Sequence, residues 1–337
     1  MKIAYIIYPG VIISNKSNGI RSQAVEWAEI LRAKGITIDL IDNWGDYNWR
    51  SYDAIHLFGS GLWVCDIIRA LSEINDRIVI SPIMDPTPSF SMLGSDIRYY
   101  LSKTKFFNSR VYMIANAFQK SKCLCVRSEY EKKFVAKVYK ISENVFKKVP
   151  LAFDTKLNSL NWTENEKEDF CLHISSIYQE RKNVLRLIEA AKKFGFKLVL
   201  AGNKGTEAQF EKIGKAIEGR PNISVLGFVS YDEKIALYRR AKVFALPSLQ
   251  EGVGIVALDA AKMGCEVAIT NIPGPKEYYE GKCMEVDPYN VDSIGNSIMA
   301  LLAGEKRFQP TLSKYISNKY SSEAVAQNLI EMYKAIK

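Results

Sequence analysis

Val243-Phe244-Ala245-Leu246-Pro247-Ser248-Leu249-Gln250-Glu251-Gly252-Val253-Gly254-Ile255-Val256-Ala257-Leu258-Asp259 contains three elements in seventeen residues. An apolar, β-rich run reaches Pro247-Ser248, a loop with two glycines turns, and a helix begins that Gly264 closes. Gly252 and Gly254 let backbone N–H groups approach a ligand closely. The helix N-terminus adds partial positive charge where a phosphate would sit. Glu251 repels such a phosphate, so its expected partner is a neutral polyol, for which a carboxylate is a good acceptor. Asp259, eight positions on, is expected to hold a second pair of hydroxyls.

The same strand-to-helix alternation extends in both directions. In the first half, Ile3 to Tyr8, Thr37 to Ile41, Ala54 to Phe58, Ile78 to Ile83 and Cys123 to Val126 read as strands, with a helix near Ser22 to Lys34. The pattern restarts with Phe170 to Ser175, Lys197 to Ala201, Ile223 to Phe228, Val243 to Pro247 and Glu266 to Thr270, separated by helical segments. Alternation of this kind predicts parallel sheets covered on both faces. The expected architecture is α/β, with two Rossmann-like doubly wound domains whose ligand edges face across a cleft. The expected boundaries are a first domain over 1–153, a polar linker over 154–169, a second domain over 170–318, and a C-terminal helix over 319–337 that packs back on the first domain.

Composition agrees with a globular chain of two domains: 337 residues, 47% hydrophobic and 25% charged. No apolar run is long enough to span a membrane and the start runs straight into a strand, so the expected location is cytoplasmic, at the inner face of the plasma membrane. The six cysteines have neither zinc nor disulfide spacing and read as reduced core thiols. No pair of acids has cation-binding spacing, so neither a metal nor a cofactor is expected. The net charge is +9, and residues 101–150 carry twelve bases against three acids, a local excess as large as that of the whole chain. A solvated basic face, an anionic membrane contact and nucleic-acid binding compete for this excess. Tyr99, Tyr100, Phe106, Phe107, Tyr112 and Phe118 lie among the bases, which suits a headgroup layer. An anionic membrane surface, met through residues 99–148, is the expected partner rather than nucleic acid.

The run from Ala245 to Gly264 resembles the signature of family 4 retaining glycosyltransferases of the GT-B architecture. Its usual form is Pro-Ser, a Glu-Gly-Phe-Gly loop, and a second Glu eight positions after the first. Val253 stands at the usual Phe, and Asp259 at the second Glu. Ile174 to Asn183 is similar to the family's diphosphate-binding loop, with Arg181 and Lys182 matching its second basic element and Ser176 standing where many members have an Arg. Val225 to Ser230 resembles the segment that meets the base, and Gly202-Asn203-Lys204-Gly205 follows a strand near the phosphates. Ser17 to Arg21 precedes a helix, as does the family's acceptor loop.

The resemblance implies a hexosyltransferase-type enzyme that takes a nucleoside diphosphate sugar as donor and a glycan or lipid-linked hydroxyl as acceptor, as in bacterial surface glycan synthesis. It implies catalytic roles for Glu251, Arg181 and Lys182. Donor contacts fall on Ser176, Gly202, Asn203, Gly227, Phe228, Gly252, Val253, Gly254, Ile255, Val256 and Asp259. Asn18, Gly19 and Asp85 fall on the acceptor side. His56 and His173 read as buried structural histidines. A sugar-nucleotide epimerase on the same fold and a catalytically silent binding subunit are the alternatives.

Overall fold

The computed structural model describes residues 1–8, 10, 19–42, 44–85 and 110–336. Two compact units emerge, one formed by Met1–Leu151 with Ser322–Lys337 and the other by Ala152–Ser321.

The first unit contains, in chain order, β1 (Lys2–Ile7), α1 (Gly19–Arg32), β2 (Thr37–Leu40), β3 (Ala54–Phe58), α2 (Leu62–Leu71), β4 (Ile78–Ser81), α3 (Arg110–Lys120), β5 (Cys123–Val126), α4 (Glu129–Tyr139) and β6 (Phe146–Lys148). The strands form one sheet in the order β2-β1-β3-β4-β5-β6, parallel throughout. Every residue of β3, β4 and β5 is buried, as a sheet covered on both faces requires.

In the second unit β7 (Glu168–Ile174), α5 (Val184–Phe194), β8 (Leu198–Ala201), α6 (Glu207–Ile217), β9 (Ile223–Gly227), α7 (Tyr231–Arg240), β10 (Ala241–Leu246), α8 (Ile255–Lys262), β11 (Glu266–Thr270), α9 (Pro273–Glu277), β12 (Met284–Val286), α10 (Val291–Ala303) and α11 (Thr311–Lys319) follow. Its sheet is also parallel, in the order β12-β11-β10-β7-β8-β9. The chain winds outward through β7, β8 and β9, then returns to the other side of β7 with β10. The connections after β7 and β10 therefore diverge, which opens a crevice at the C-terminal ends of these two strands.

Residues 154–169, expected to be a linker, are built into the second unit. Lys167 is the reason: its ammonium donates to the carbonyls of Tyr238, Ala241 and Met263 at 2.9, 3.1 and 2.7 Å. These carbonyls lie at the C-terminal ends of α7 and α8, where a cation is favoured, and the Cys265 thiol also donates to two of them. The last helix, α12 (Ser322–Ala335), belongs to the first unit. Its Tyr333 hydroxyl is 2.6 Å from His56 Nδ1 on β3 and 2.9 Å from the Tyr5 hydroxyl on β1.

All six cysteines are free and buried. No described helix is long and apolar enough to cross a membrane.

Both histidines are fully enclosed and bonded at both nitrogens. His56 meets Tyr333 and Ser81, and His173 meets the Ala245 carbonyl at 2.8 Å and the Ser175 hydroxyl at 2.7 Å. A carbonyl only accepts, so His173 carries its proton on Nδ1. Burial lowers His56 to about 3 and His173 to about 4. Unfolding frees both to titrate near 6.5, so their contribution to stability is complete above that pH and is lost as pH falls toward 4 and 3. Together they are expected to remove several kcal/mol, because each tenfold difference in proton affinity between the folded and unfolded chain is worth about 1.4 kcal/mol. Urea midpoints should fall steadily from pH 7.5 to 4, and less in His56→Gln. An equal fall in the variant would remove His56 from this account.

Candidate functional site

The crevice at the β7/β10 divergence brings together residues far apart in the chain. The loop after β7 carries Lys182, the loop after β10 carries Glu251, and Lys182 Nζ lies 2.5 Å from Glu251 Oε2 with both side chains 11% exposed. The Ser248 hydroxyl donates to the same carboxylate oxygen at 3.3 Å. Asn183, in the left-handed conformation at φ 59°, locks the two loops by donating to the carbonyls of Pro247 at 2.9 Å and Pro288 at 2.6 Å. The Leu249 N–H donates to the Arg181 carbonyl at 2.8 Å. The position of Lys182 against Glu251 is thus fixed by backbone contacts as well as by charge.

Arg181 behaves differently from its neighbour. Its side chain is exposed and its Nε donates to Gln179 at 2.9 Å, so only one of the two expected cations meets Glu251.

The glycine loop ends at Gly254, which takes φ 78° and forms the N-cap of α8. A Cβ at Gly254 would lie 2.9 Å from Leu246 Cδ2, so the turn needs glycine for space as well as conformation. Gly252 and Val253 are buried, while Ile255 and Val256 at the helix start are partly exposed. Val253 packs inward at 3% exposure and serves the core. The first N–H groups of α8 lack helix acceptors, and with no acid in the first turn they favour an anion.

Two further connections flank this loop. Gly202, after β8, takes φ 118° and donates its N–H to the Gly227 carbonyl at 2.6 Å. The Ile177 N–H donates to the Asn203 carbonyl at 2.9 Å, which sets Ser176 beside Asn203. Phe228, just past β9, is 88% exposed. A groove of about 590 Å³ beside these loops is lined by Tyr178, Gln179, Asn183, Arg186, Gln209 and Leu249. A larger cavity, about 720 Å³, lies at the opposite end of the sheet, where Lys167 leads into β7 and Trp162 covers Gly264.

Asp259 sits one turn into α8 with 3% exposure. Its Oδ1 accepts the Asp154 N–H at 2.9 Å, and its Oδ2 is 3.7 Å from Lys234 Nζ. Burial raises its carboxyl to about 6, against the opposing pull of Lys234 and the Asp154 N–H. The hydroxyl-binding role expected of Asp259 therefore meets a carboxylate already enclosed by protein groups. Neither Asp154 nor Lys234 stood out as a site residue in the sequence. Asp154 lay in the expected linker.

In the first unit, Asp85 follows β4 and accepts from Arg127 Nη2 at 3.0 Å. Arg127 also pairs with Glu131 at 3.0 Å. Gly19 opens α1, and Asn18 lies outside the described residues. Residues 99–109 of the basic, aromatic stretch also lie outside them. Within the described part, Lys122 pairs with Asp76 and Arg127 with Asp85, acids outside residues 101–150, so part of the local excess is neutralised.

Comparison with known proteins agrees with this geometry. Residues 155–321, nearly the whole second unit, match the family model "Glycosyl transferases group 1". An uncharacterized glycosyltransferase of Methanocaldococcus jannaschii is 28% identical over 198 residues, 55% of this chain and 50% of that protein. O-antigen chain mannosyltransferase B of Escherichia coli is 24% identical over 180 residues, 50% of this chain and 46% of that protein. The matched regions thus span about half the length of these relatives. Among solved structures, Anabaena HepE in complex with UDP and glucose has TM-score 0.73 at 15% identity, covering 99% of this chain and 100% of that one. The chain thus shares the two-unit GT-B fold, and its residues 155–321 match glycosyl transferases group 1.

Proposed function

We propose that this chain is a glycosyltransferase moving a sugar, with retention of configuration, from a nucleoside diphosphate sugar to an acceptor hydroxyl in glycan synthesis. The observation that carries this reading is the Lys182–Glu251 pair at the β7/β10 divergence, next to the N-terminus of α8. The group 1 match over the same unit and the UDP and glucose of HepE support the choice of donor.

The donor sugar lies against Glu251, whose carboxylate accepts from its hydroxyls. The diphosphate lies over the first turn of α8, where Lys182 and Arg181 supply charge, with Ser176, Gly202 and Asn203 beside it. The base lies toward Gly227 and the exposed Phe228. The glycosidic bond from C1 to the phosphate oxygen breaks, and the acceptor oxygen bonds C1 on the same face. The acceptor proton passes to the departing phosphate. Negative charge grows on that phosphate in the transition state, so cations and backbone N–H groups placed there lower the barrier. In this reading the charge comes from the protein, without a metal. On the acceptor side, Gly19 and Asp85 lie at the C-terminal edge of the first sheet. The basic stretch over 99–148 brings the chain to an anionic membrane bearing a lipid-linked acceptor.

A panel of nucleoside diphosphate sugars, each with and without glycan and lipid-linked acceptors, tests the reading by release of nucleoside diphosphate. Acceptor-dependent release with a product of unchanged anomeric configuration is expected. Conversion of the donor alone would mark an epimerase, and silence across a panel that binds would mark a non-catalytic subunit.

A further inference from the structure

The segment over 154–169 places Trp162 between two cavities of the second unit, at the end of its sheet away from the proposed donor crevice. One holds about 720 Å³ and the other about 370 Å³, and Trp162, Ser313 and Lys314 line both. Volumes of about 300–1,000 Å³ are typical of small-molecule sites. Trp162 is half-buried. Its Nε1 donates to the Ser313 hydroxyl at 3.2 Å, and its indole rests on Gly264, where a Cβ would stand 2.1 Å from Trp162 Cδ2. The ring is therefore held in one orientation, and the surface left to it faces the cavities.

The charges around this ring divide unevenly. On the larger side Arg307 pairs with Glu164, Lys242 pairs with Asp169 at 2.7 Å, and Glu266 accepts the N–H groups of Phe308 and Gln309 at 3.0 and 3.1 Å. These groups satisfy one another. On the smaller side stand Lys262, the last residue of α8, and Lys314 on α11, and neither has an acid partner among the described residues. The Lys262 ammonium lies 5.8 Å from the Phe153 ring centroid, and burial holds it below the ordinary lysine value. Two ammonium groups without a countercharge on one cavity favour an anion there. Asn161 and Asn318 line the same cavity and add amide donors and acceptors.

Each part of this lining suits one part of a charged sugar. An indole face takes the apolar C–H side of a pyranose ring, amides take its hydroxyls, and ammonium groups take an anionic substituent as point charges. We infer that the two cavities form a second ligand site, for a saccharide bearing a phosphate or a carboxylate, with its ring on Trp162 and its charged group between Lys262 and Lys314. The larger cavity holds the neighbouring part of the molecule. This site is separate from the donor crevice and does not depend on the donor reading.

Calorimetric titration of the full chain, with UDP present throughout to occupy the proposed donor crevice, tests it with four probes: tetragalacturonate, glucose 6-phosphate, neutral maltotetraose and inorganic phosphate. The better of the two acidic saccharides is expected to bind about tenfold more tightly than maltotetraose or phosphate, the effect of a hydrogen bond to a charged group. A lead for tetragalacturonate marks an acidic glycan chain as the source, and a lead for glucose 6-phosphate marks a free sugar phosphate. The double variant Lys262→Gln, Lys314→Gln breaks no ion pair, so it should erase the advantage over maltotetraose at unchanged thermal midpoint. Trp162→Phe should weaken every saccharide about fivefold and leave inorganic phosphate unaffected. Failure of both acidic saccharides to bind, binding that the lysine variant does not weaken, or displacement of the saccharide by added UDP overturns the inference. Inorganic phosphate bound as tightly as either acidic saccharide overturns the sugar assignment. UDP affinity should be the same in the lysine variant and wild type, so the donor reading stands or falls separately.

Discussion

Glu251→Ala is expected to lower kcat/KM by about 10² to 10³-fold, the usual effect of removing one group aimed at a reacting centre. It should also destabilise the second unit. Its carboxylate is the partner of Lys182 at 2.5 Å, and both side chains are 11% exposed, so the variant leaves a nearly buried ammonium unpaired. Breaking such a pair costs about 3–5 kcal/mol. The two effects separate in the double variant Lys182→Met, Glu251→Leu. Replacing a buried pair by apolar groups of similar volume is often neutral for stability, so the urea midpoint should recover. Activity should not, because the proposed partners of the sugar hydroxyls and of the departing phosphate are both gone. A double variant that regained both would leave the pair with a structural role only.

Gly202→Ala should be the most damaging single methyl in the phosphate-side loops. The added Cβ would stand 1.9 Å from the Ser175 carbonyl oxygen and 2.9 Å from its carbon, and φ is 118°, where L side chains are strained. Ser175 is backbone held by Ala201 at 3.1 Å, so it cannot yield without moving the loop that leads to Lys182. A loss of about 3 kcal/mol or more is expected, with a several-fold rise in donor KM. Gly195→Ala is the control, because its φ is 75° but its Cβ meets nothing within 4 Å. Only the left-handed penalty of about 1–2 kcal/mol applies there, and donor KM should stay unchanged. Equal melting of the two variants would show that the Ser175 contact has no weight.

Much of the fold was legible because it depends on local periodicity. Apolar β-rich runs alternating with helical ones imply parallel sheets, and each expected strand is observed within about two residues of its expected bounds, while the three-residue edge strands β6 and β12 were too short to be read. The glycine loop was legible for the same reason. Its strand, turn and helix start lie within one short stretch, and Gly254 takes the left-handed conformation such a turn needs.

Side-chain destinations were not legible. Arg181 and Lys182 are adjacent and chemically alike, yet one turns to Gln179 in solvent and the other to Glu251 in the interior. The linker reading failed at Lys167 because its three carbonyl partners lie 71 to 96 residues away. Asp154 carried no local mark, since its tie to Asp259 crosses 105 positions.

The sequence alone determined two α/β units, a glycine turn into a helix start, and a carboxylate in the loop before it, because period, turn chemistry and capping act over a few residues. Tertiary structure decided which lysine meets Glu251 and that Asp259 is enclosed by Asp154 and Lys234. Those outcomes follow from strand order. The reversal between β7 and β10 joins loops 69 residues apart, and burial then sorts paired charges from exposed ones.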